Sequence, residues 1–455
     1  MIARLFEPRL MLPAYLALCV VLGGSSSGGA VANALLQLLG LAILWFAATQ
    51  ERAVPVAGDI PGRYFKWLIL ATCGWIVVQF VPLPSGLWSA IPGRANVAQG
   101  MELLGNEPGW RPLAIEWERA IASALSFIPP FAVLAMALRA EPDTITRGIL
   151  AILAATVLAA VVGVAQIAAG DGSPLYFYDI TSVASSVGFF ANSNHFATLF
   201  IVCAALAIVG IEPDRTGRGG GSFAWLAWLA FTGFLLANVF LNRSLAGLAL
   251  GMMVAAYCAT FFIARLGSPA MRWGGIGIIA LGGLAAMMFA VFAPRSLTEK
   301  LFVQTTDVGS RTYIWDGTYQ AIVDTFPYGI GLGNFRWFYP QYEDPNVILS
   351  VYINHAHNDW LEFILEGGIF AVAILGLLGM VLARSARRHL RGNLTQIVRR
   401  AAPYVVLLVI ALHSLVDYPL RTATIAAVGT LALVMAMRGL TFEPDRLLRG
   451  ERIRG

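Results

Sequence analysis

The stretch from Asn354 to Ala383 reads NHAHNDWLEFILEGGIFAVAILGLLGMVLA, and it joins a polar, titratable head to a long apolar run. The head, Asn354 to Phe363, holds two of the chain's five histidines, together with two amides and two acids. Polar groups at the mouth of a membrane helix are costly unless they are hydrated or functional. We therefore expect a membrane protein whose active site begins in this stretch.

The composition of the whole chain agrees with that expectation. Of its 455 residues, 58% are hydrophobic and 13% are charged, and the mean hydropathy is +0.71. A soluble protein carries roughly 25% charged residues, so this chain is predicted to be an all-α polytopic membrane protein. The sequence shows no Cys/His zinc pattern and no carboxylate cluster for magnesium, and we predict no metal and no cofactor.

Twelve apolar segments approach the roughly 20 residues that a spanning helix needs. They are predicted at 10–25, 31–49, 65–83, 120–138, 147–168, 195–211, 223–241, 244–265, 274–293, 360–383, 403–417 and 422–438. All belong to one integral membrane domain, residues 1–455. The first run could also be a cleaved signal peptide, but the many spans after it favour a retained helix.

Basic residues fix the predicted orientation. With Met1 inside, the inner segments hold 22 of the 31 lysines and arginines, so both termini are predicted to be cytoplasmic. Membrane topology and binding to anionic lipid explain the excess of lysine and arginine, so nucleic acid is not predicted as a partner. The outer face then carries residues 84–119, predicted as an amphipathic helix on the membrane surface, residues 169–194, and the large loop 294–359 between spans 9 and 10.

This topology places several polar groups at the outer membrane boundary, where one cavity could hold them. Guanidinium groups bind phosphate bidentately, and an imidazole can act as a general base near neutral pH. Each residue also has an ordinary explanation: Arg243 could snorkel, and Asp417 with Arg421 could cap helix ends. The groups are Asn192, Asn194, His195, Arg243, Arg311, His355, His357, Asp417, Tyr418 and Arg421. Together they suggest chemistry on a large anionic substrate.

At these residues, over roughly 185–421, the chain resembles the O-antigen ligase and polymerase superfamily. That superfamily includes lipopolysaccharide O-antigen ligases, Wzy-type polysaccharide polymerases and PglL-type O-oligosaccharyltransferases. Its pattern of His, Asn, nine residues and Gly is met by His357, Asn358 and Gly368, although Ala371 departs from its last position. Further similar motifs are Gly188-x-x-Ala-Asn-x-Asn194, Asn242-Arg243-Ser244, Gly309-Ser-Arg311-x-x-x-Trp315 and His413-Ser-Leu-Val-Asp417-x-Pro-Leu-Arg421.

The resemblance implies a GT-C-like, metal-independent, inverting glycosyltransferase in the bacterial inner membrane. Its donor would be a glycan on undecaprenyl diphosphate, and its active site would face the periplasm. Arg243 and Arg311 would hold the diphosphate, and His357 would deprotonate the acceptor hydroxyl. The residues expected to contact substrate or assist are His355, Asn358, Asn194, Asp417 and Arg421.

Several alternatives remain open at this point. A ligase and a polymerase differ only in the acceptor, which is lipid A-core for one and a growing glycan for the other. A transporter or flippase of lipid-linked oligosaccharide would distribute charges through its spans, whereas most span interiors here lack them. A non-enzymatic scaffold in envelope assembly leaves the clustered arginines and histidines unexplained. The enzyme is favoured because the polar residues collect at one face.

Overall fold

The computed structural model describes seven stretches of the chain. They are residues 8–26, 29–49, 62–106, 109–211, 221–264, 308–343 and 352–439. The ninth predicted span, 274–293, and residues 294–307 and 344–351 of the large loop lie outside them.

Each of the other eleven predicted spans overlaps helical residues, although 65–83 runs past Val78 into the strand Pro82–Leu83. The helices are α1 Pro8–Leu22, α2 Ala30–Thr49, α3 Gly62–Val78, α6 Trp117–Leu125, α7 Ile128–Arg139, α8 Pro142–Ala169, α9 Ser193–Gly210, α10 Gly221–Leu241, α11 Leu245–Ile263, α14 Asp359–His389, α15 Leu394–His413 and α16 Ala423–Arg438. Seven of the helical segments are long and apolar enough to cross a membrane, with four shorter apolar helices beside them. The chain is a multi-pass helical membrane protein.

Helix α9 lies at the centre of the bundle, and every one of its residues from Ser193 to Gly210 is buried. It contacts α8, α10, α11 and α15, which surround it. A helix that is apolar on all sides has no face for water, so it is buried among its neighbours. Asn192 caps its start by accepting a hydrogen bond from the Asn194 backbone. The central position of α9 carries Asn194 and His195 into the middle of one end of the bundle.

Helix α14 is interrupted at Gly368, the glycine of the sequence pattern. Its φ is +54°, and a Cβ at this position would lie 2.1 Å from the Pro327 carbonyl oxygen, so only glycine fits. The interruption frees the carbonyls of Leu365 and Glu366. These accept hydrogen bonds from the backbone N–H groups of Ile330 and Gly331, respectively. The glycine-rich turn at 328–333 is thereby docked onto α14.

A small folded unit, which we call the cap, covers this end of the bundle. It contains α4 Ser85–Ser89, α5 Ala95–Leu103, the antiparallel strands β1 Pro82–Leu83 and β2 Arg111–Pro112, α12 Val308–Thr325, α13 Phe335–Phe338 and the 3-10 helix Tyr339–Tyr342. Residues 84–119 thus form two short helices and a strand instead of one surface helix. Pro92 and Gly93 separate α4 from α5, and Trp88 and Ile115 share a buried core with Phe335 and Phe338.

Candidate active site

Asp417 is the centre of the candidate site. Helix α15 ends at His413, four residues before the end of the predicted span 403–417, so Asp417 lies in the turn that leads to α16. Its side chain is fully buried. The Asn194 side chain donates to Oδ2 over 2.7 Å, and the Tyr418 backbone donates to Oδ1 over 2.9 Å.

Two imidazoles face the same carboxylate. His195 Nε2 lies 3.5 Å and His357 Nδ1 lies 3.6 Å from Asp417 Oδ1. Both distances exceed hydrogen-bond length, and neither nitrogen has another partner among the described residues. We call Asp417, Asn194, His195, His357 and Arg311 the Asp417 site.

The surroundings of Asp417 keep its carboxyl group ionised. Burial by itself raises the pKa of this group, but the facing imidazoles of His195 and His357 outweigh burial and hold the pKa well below its usual range. Burial, reinforced by the Asp417 charge, raises the pKa of the Tyr418 phenol. The site therefore holds one fixed negative charge beside a neutral phenol.

The Tyr418 ring joins the histidines to one another. Its centroid lies 4.9 Å from that of His195, 4.3 Å from that of His355 and 5.0 Å from that of His357. The ring is itself almost completely buried. It separates the imidazoles and fixes their mutual placement.

Arg311 reaches the site from the first turn of α12. Its NH1 donates to the Val416 carbonyl over 2.8 Å, and its NH2 lies 4.0 Å from Asp417 Oδ2. Its Nε has no partner among the described residues, nor does the buried Nε1 of Trp315, four residues later. Residues four apart share a helix face, so both free N–H groups belong to the same side of α12.

Arg243 lies in the turn between α10 and α11 and is exposed. The turn is fixed because Asn242 donates to the Ser186 carbonyl over 2.6 Å, and because Gly247 packs against Ala197 in the second turn of α9. Arg243 itself has a φ of +52°. In the described part of the chain its guanidinium pairs with no other predicted site residue, while the turn itself packs against Ser186 and α9.

Arg421 has different surroundings from the other arginines. Its NH2 lies 3.1 Å from both Glu362 Oε1 and Glu366 Oε2, and its Nε lies 3.7 Å from Asp359 Oδ1. Burial lowers the pKa of Arg421, but the three carboxylates outweigh burial and raise it. His355 Nδ1 joins the group at 2.8 Å from Glu362 Oε1. We call these five residues the Arg421 cluster.

Asn358 connects α14 to the turn that carries Asp417. Its Oδ1 accepts from the backbone N–H groups of Trp360 and Leu361, and its Nδ2 donates to the Leu415 carbonyl. Asn358 is thus the N-cap of α14. His357, immediately before it, has a φ of +49°. Such a backbone conformation costs energy in a non-glycine residue and is typical of functional sites.

Unpaired buried polar atoms collect around this end of the bundle. In the described part of the chain they include Ser193 Oγ, His195 Nε2, Arg311 Nε, Trp315 Nε1, His357 Nδ1 and His413 Nε2. Buried polar atoms are normally paired, so a group of exceptions calls for an explanation. A polar substrate would supply partners for the N–H groups of Arg311 and Trp315, whereas His195 Nε2 and His357 Nδ1 already face Asp417. Over the same described ranges, no three His, Cys, Asp or Glu side chains are placed to hold a metal ion.

The fold also shows how other residues of the sequence motifs are arranged. His413 and Asp417 are four residues apart, and the Asp417 backbone N–H donates to the His413 carbonyl. Glu362 and Glu366 have the same spacing, which indicates one helix face. Nothing in the sequence indicated that Tyr418 would contact three imidazoles, because those residues come from distant segments.

A comparison with curated proteins finds no match for the chain. Residues 225–376 match the model of the O-antigen ligase family, Wzy_C. The match includes Arg243, Arg311, His355, His357 and Gly368, whereas the predicted likeness over 185–421 extends further on both sides. The resemblance is confirmed over that range: residues 225–376 are similar to the O-antigen ligase family, which supports a ligase- or polymerase-like role in processing glycans at a membrane.

Proposed function

We propose that the protein transfers a glycan from undecaprenyl diphosphate to an acceptor hydroxyl at the periplasmic face of the bacterial inner membrane. The observation that carries this proposal is the shared carboxylate of Asp417. It faces the imidazole of His357 on one oxygen and the guanidinium of Arg311 on the other. A general base and a phosphate-binding cation are therefore held beside one another by a single fixed charge.

His357 is the proposed general base. With Nδ1 turned to Asp417, its Nε2 is left for the acceptor hydroxyl, as in other imidazole–carboxylate pairs. The hydroxyl proton passes to Nε2 while the oxygen forms a bond to the anomeric carbon. The bond from that carbon to the diphosphate oxygen breaks, and its electron pair leaves with the diphosphate. One displacement at one carbon inverts its configuration.

Arg311 and Arg243 are proposed to stabilise the departing diphosphate. Guanidinium groups remain charged and bind phosphate oxygens bidentately, so two of them can take the electrostatic role that a metal ion has elsewhere. Arg243 is exposed and unpaired in the described residues, and it is therefore free to meet the donor. Arg421 already faces three carboxylates, which favours a positioning role over contact with phosphate.

The ends of four helices add to this environment. Helices α9, α11, α14 and α16 begin at Ser193, Leu245, Asp359 and Ala423, close in sequence to His195, Arg243, His357 and Arg421 respectively. The positive ends of helix dipoles favour anions. Of these starts, those of α9 and α14 adjoin the Asp417 site through His195 and His357, which supports an anionic donor.

Three substitutions test the assignment with purified protein and a lipid-linked glycan donor. We expect His357→Ala, Arg311→Ala and Arg243→Ala each to abolish transfer while the variants keep the thermal unfolding midpoint of the parent. Full activity in the His357→Ala protein would disprove the general-base role. Treatment with a chelator should leave the rate unchanged, and restoration of a lost rate by Mg²⁺ or Mn²⁺ would disprove the metal-independent mechanism.

The acceptor distinguishes a ligase from a polymerase, and both remain candidates within the proposed transfer reaction. Deletion in the native host separates them: unligated full-length polymer indicates a ligase, and single repeat units indicate a polymerase. A transporter would need charges along its spans. The buried acids Asp359, Glu362 and Glu366 instead occupy the first turns of one helix, at the end where the site lies, which supports an enzyme.

A further inference from the structure

Two tryptophans of the cap each have the guanidinium groups of two arginines within 6 Å of the ring centroid. Trp88 is completely buried, with the Cζ atoms of Arg94 and Arg111 at 5.6 and 5.4 Å from its ring centroid. Trp337 is 52% exposed, with the Cζ atoms of Arg119 and Arg336 at 5.0 and 5.4 Å. The first arrangement is part of the core, whereas the second faces outward.

The outward arrangement leaves its cationic donors free. Neither Arg119 nor Arg336 has a hydrogen-bond or ion-pair partner in the described ranges, and Arg119 is exposed. Arg336 also stacks on Tyr352, with its Cζ 3.6 Å from the ring centroid. Stacking on a ring fixes the plane of a guanidinium while its N–H groups stay available in that plane. Such a fork fits a phosphate or carboxylate group.

Arg336 lies in the cap and Arg119 in the first turn of α6, and these two segments are joined to each other. Arg336 lies on α13, whose Phe335 and Phe338 are buried in the cap core. The residue before α13, Asn334, accepts a hydrogen bond from the Glu116 backbone, three residues before Arg119. Holding both cations in fixed positions lowers the entropic cost of binding an anion between them.

The position of Tyr352 connects this arrangement to the reaction centre. Tyr352 is 56% exposed and lies five residues before His357. At about 3.3 to 3.6 Å per residue, an extended chain of that length spans no more than about 18 Å. An acceptor whose hydroxyl meets His357 can therefore extend over Arg336 and Arg119.

We propose that Arg119 and Arg336, held on Trp337 and Tyr352, form a binding site for phosphate groups on the acceptor glycan. This inference rests on the proposed transfer reaction and assigns its acceptor to anionic, phosphorylated oligosaccharides. Two positively charged guanidinium groups, with no described acid paired to either, are complementary to such a chain. The site lies where the cap meets the start of α6, and it does not include the arginines assigned to the donor.

Initial rates of transfer test the site in full-length protein held in phosphatidylcholine nanodiscs. The donor is saturating, and the acceptor is lipid A-core from a strain without O-antigen, used either intact or dephosphorylated with aqueous hydrofluoric acid. Binding of both acceptor forms is measured separately, without donor. The variants are Arg336→Gln and Arg119→Gln, and the matched control is Arg111→Gln, which alters the arginine pair on buried Trp88.

Each variant is expected to raise the KM for the intact acceptor about tenfold, with kcat little changed, because it removes one charge-assisted contact. With the parent protein, the KM for the dephosphorylated acceptor should be higher than for the intact acceptor. The variants should not raise that KM further. Equal KM values for the parent and both variants would overturn the site. An effect that appears only after anionic phospholipid is added would assign the arginines to lipid headgroups and also overturn it. If the parent transfers nothing, the proposed reaction fails, and the binding measurement still decides the site.

Discussion

The Asp417 site and the Arg421 cluster share the Tyr418 ring, yet they use the same residue types in opposite proportions. In the first, one buried acid faces two imidazoles and one guanidinium at 3.5 to 4.0 Å. In the second, one guanidinium faces three acids, two of them at 3.1 Å, and an imidazole lies 2.8 Å from one of these acids.

This difference indicates that the Asp417 site carries out the chemistry, while the Arg421 cluster supports the surrounding structure. Among the described residues, the Asp417 site keeps an unpaired Nε on Arg311, and its two facing imidazoles lie just beyond hydrogen-bond distance from Asp417. In the Arg421 cluster, Glu362 also accepts from the Ala356 backbone, and Glu366 from the Gly333 backbone. Saturated networks are rigid, whereas unpaired groups can bind a substrate. We infer that the cluster holds α14 and the cap in place for the Asp417 site.

The largest expected effect is the loss of transfer rate when the histidine of the Asp417 site, His357, is replaced, compared with that of the Arg421 cluster, His355. His357→Ala should lower the transfer rate by about 10²- to 10⁴-fold, the usual contribution of a general base. His355→Ala should cost about tenfold at most, because His355 acts through Glu362 and its position. Single-turnover rates with the lipid-linked donor provide the measurement. The reverse order of the two losses would assign the base to the His355–Glu362 pair.

The next effect concerns stability. Arg421→Gln leaves three buried carboxylates without their cation and is expected to lower the free energy of unfolding by about 3–5 kcal/mol. Arg243→Gln, at an exposed and unpaired position, should change it by less than about 0.5 kcal/mol while it removes activity. Unfolding in nanodiscs followed by intrinsic fluorescence measures both. Equal stabilities of the two variants would contradict a supporting role for the cluster.

A smaller loss is expected where the glycine-rich turn meets α14. Gly368→Ala forces a Cβ into the Pro327 carbonyl oxygen at a positive φ, and we expect a destabilisation of about 1–3 kcal/mol. Gly376→Ala is the control on the same helix, since a Cβ there meets nothing within 4 Å. That variant should be neutral or slightly more stable. Matching losses in the two proteins would show that the break in α14 carries no special constraint.

The smallest expected change is in the pH dependence of stability due to Asp417. Its pKa in the folded protein lies below the ordinary 3.8, so its contribution to stability is present above that pH and lost as the pH falls through the folded pKa. The stability difference between the parent and Asp417→Asn should therefore stay constant from pH 8 to about pH 5. Thermal unfolding across that range checks it. A difference that changes between pH 7 and 5 would show that a group other than the Asp417 carboxyl sets this contribution to stability.

The membrane spans and the family motifs could be predicted from the sequence because both are local properties of the chain. Hydropathy located helices α1 to α3 and α6 to α11 to within a few residues, since lipid requires apolar side chains and internally paired backbone. It extended the span at 403–417 beyond His413, because Leu415 and Val416 are apolar although they lie in a turn. Proline and glycine in residues 84–119 could have indicated the interruption between α4 and α5.

The sequence by itself determined that this is a helical membrane protein with a family motif ending in His357-Asn358 and Gly368. Only the tertiary structure decided which charges meet. It paired Arg421 with the acids of α14, left Arg243 without a partner among the described residues, and placed Asp417 opposite His195 and His357. The physical reason is that a charge partner is chosen by how distant segments dock. Asn194 and Asp417, which hydrogen-bond directly, are 223 residues apart, and no local pattern carries that information.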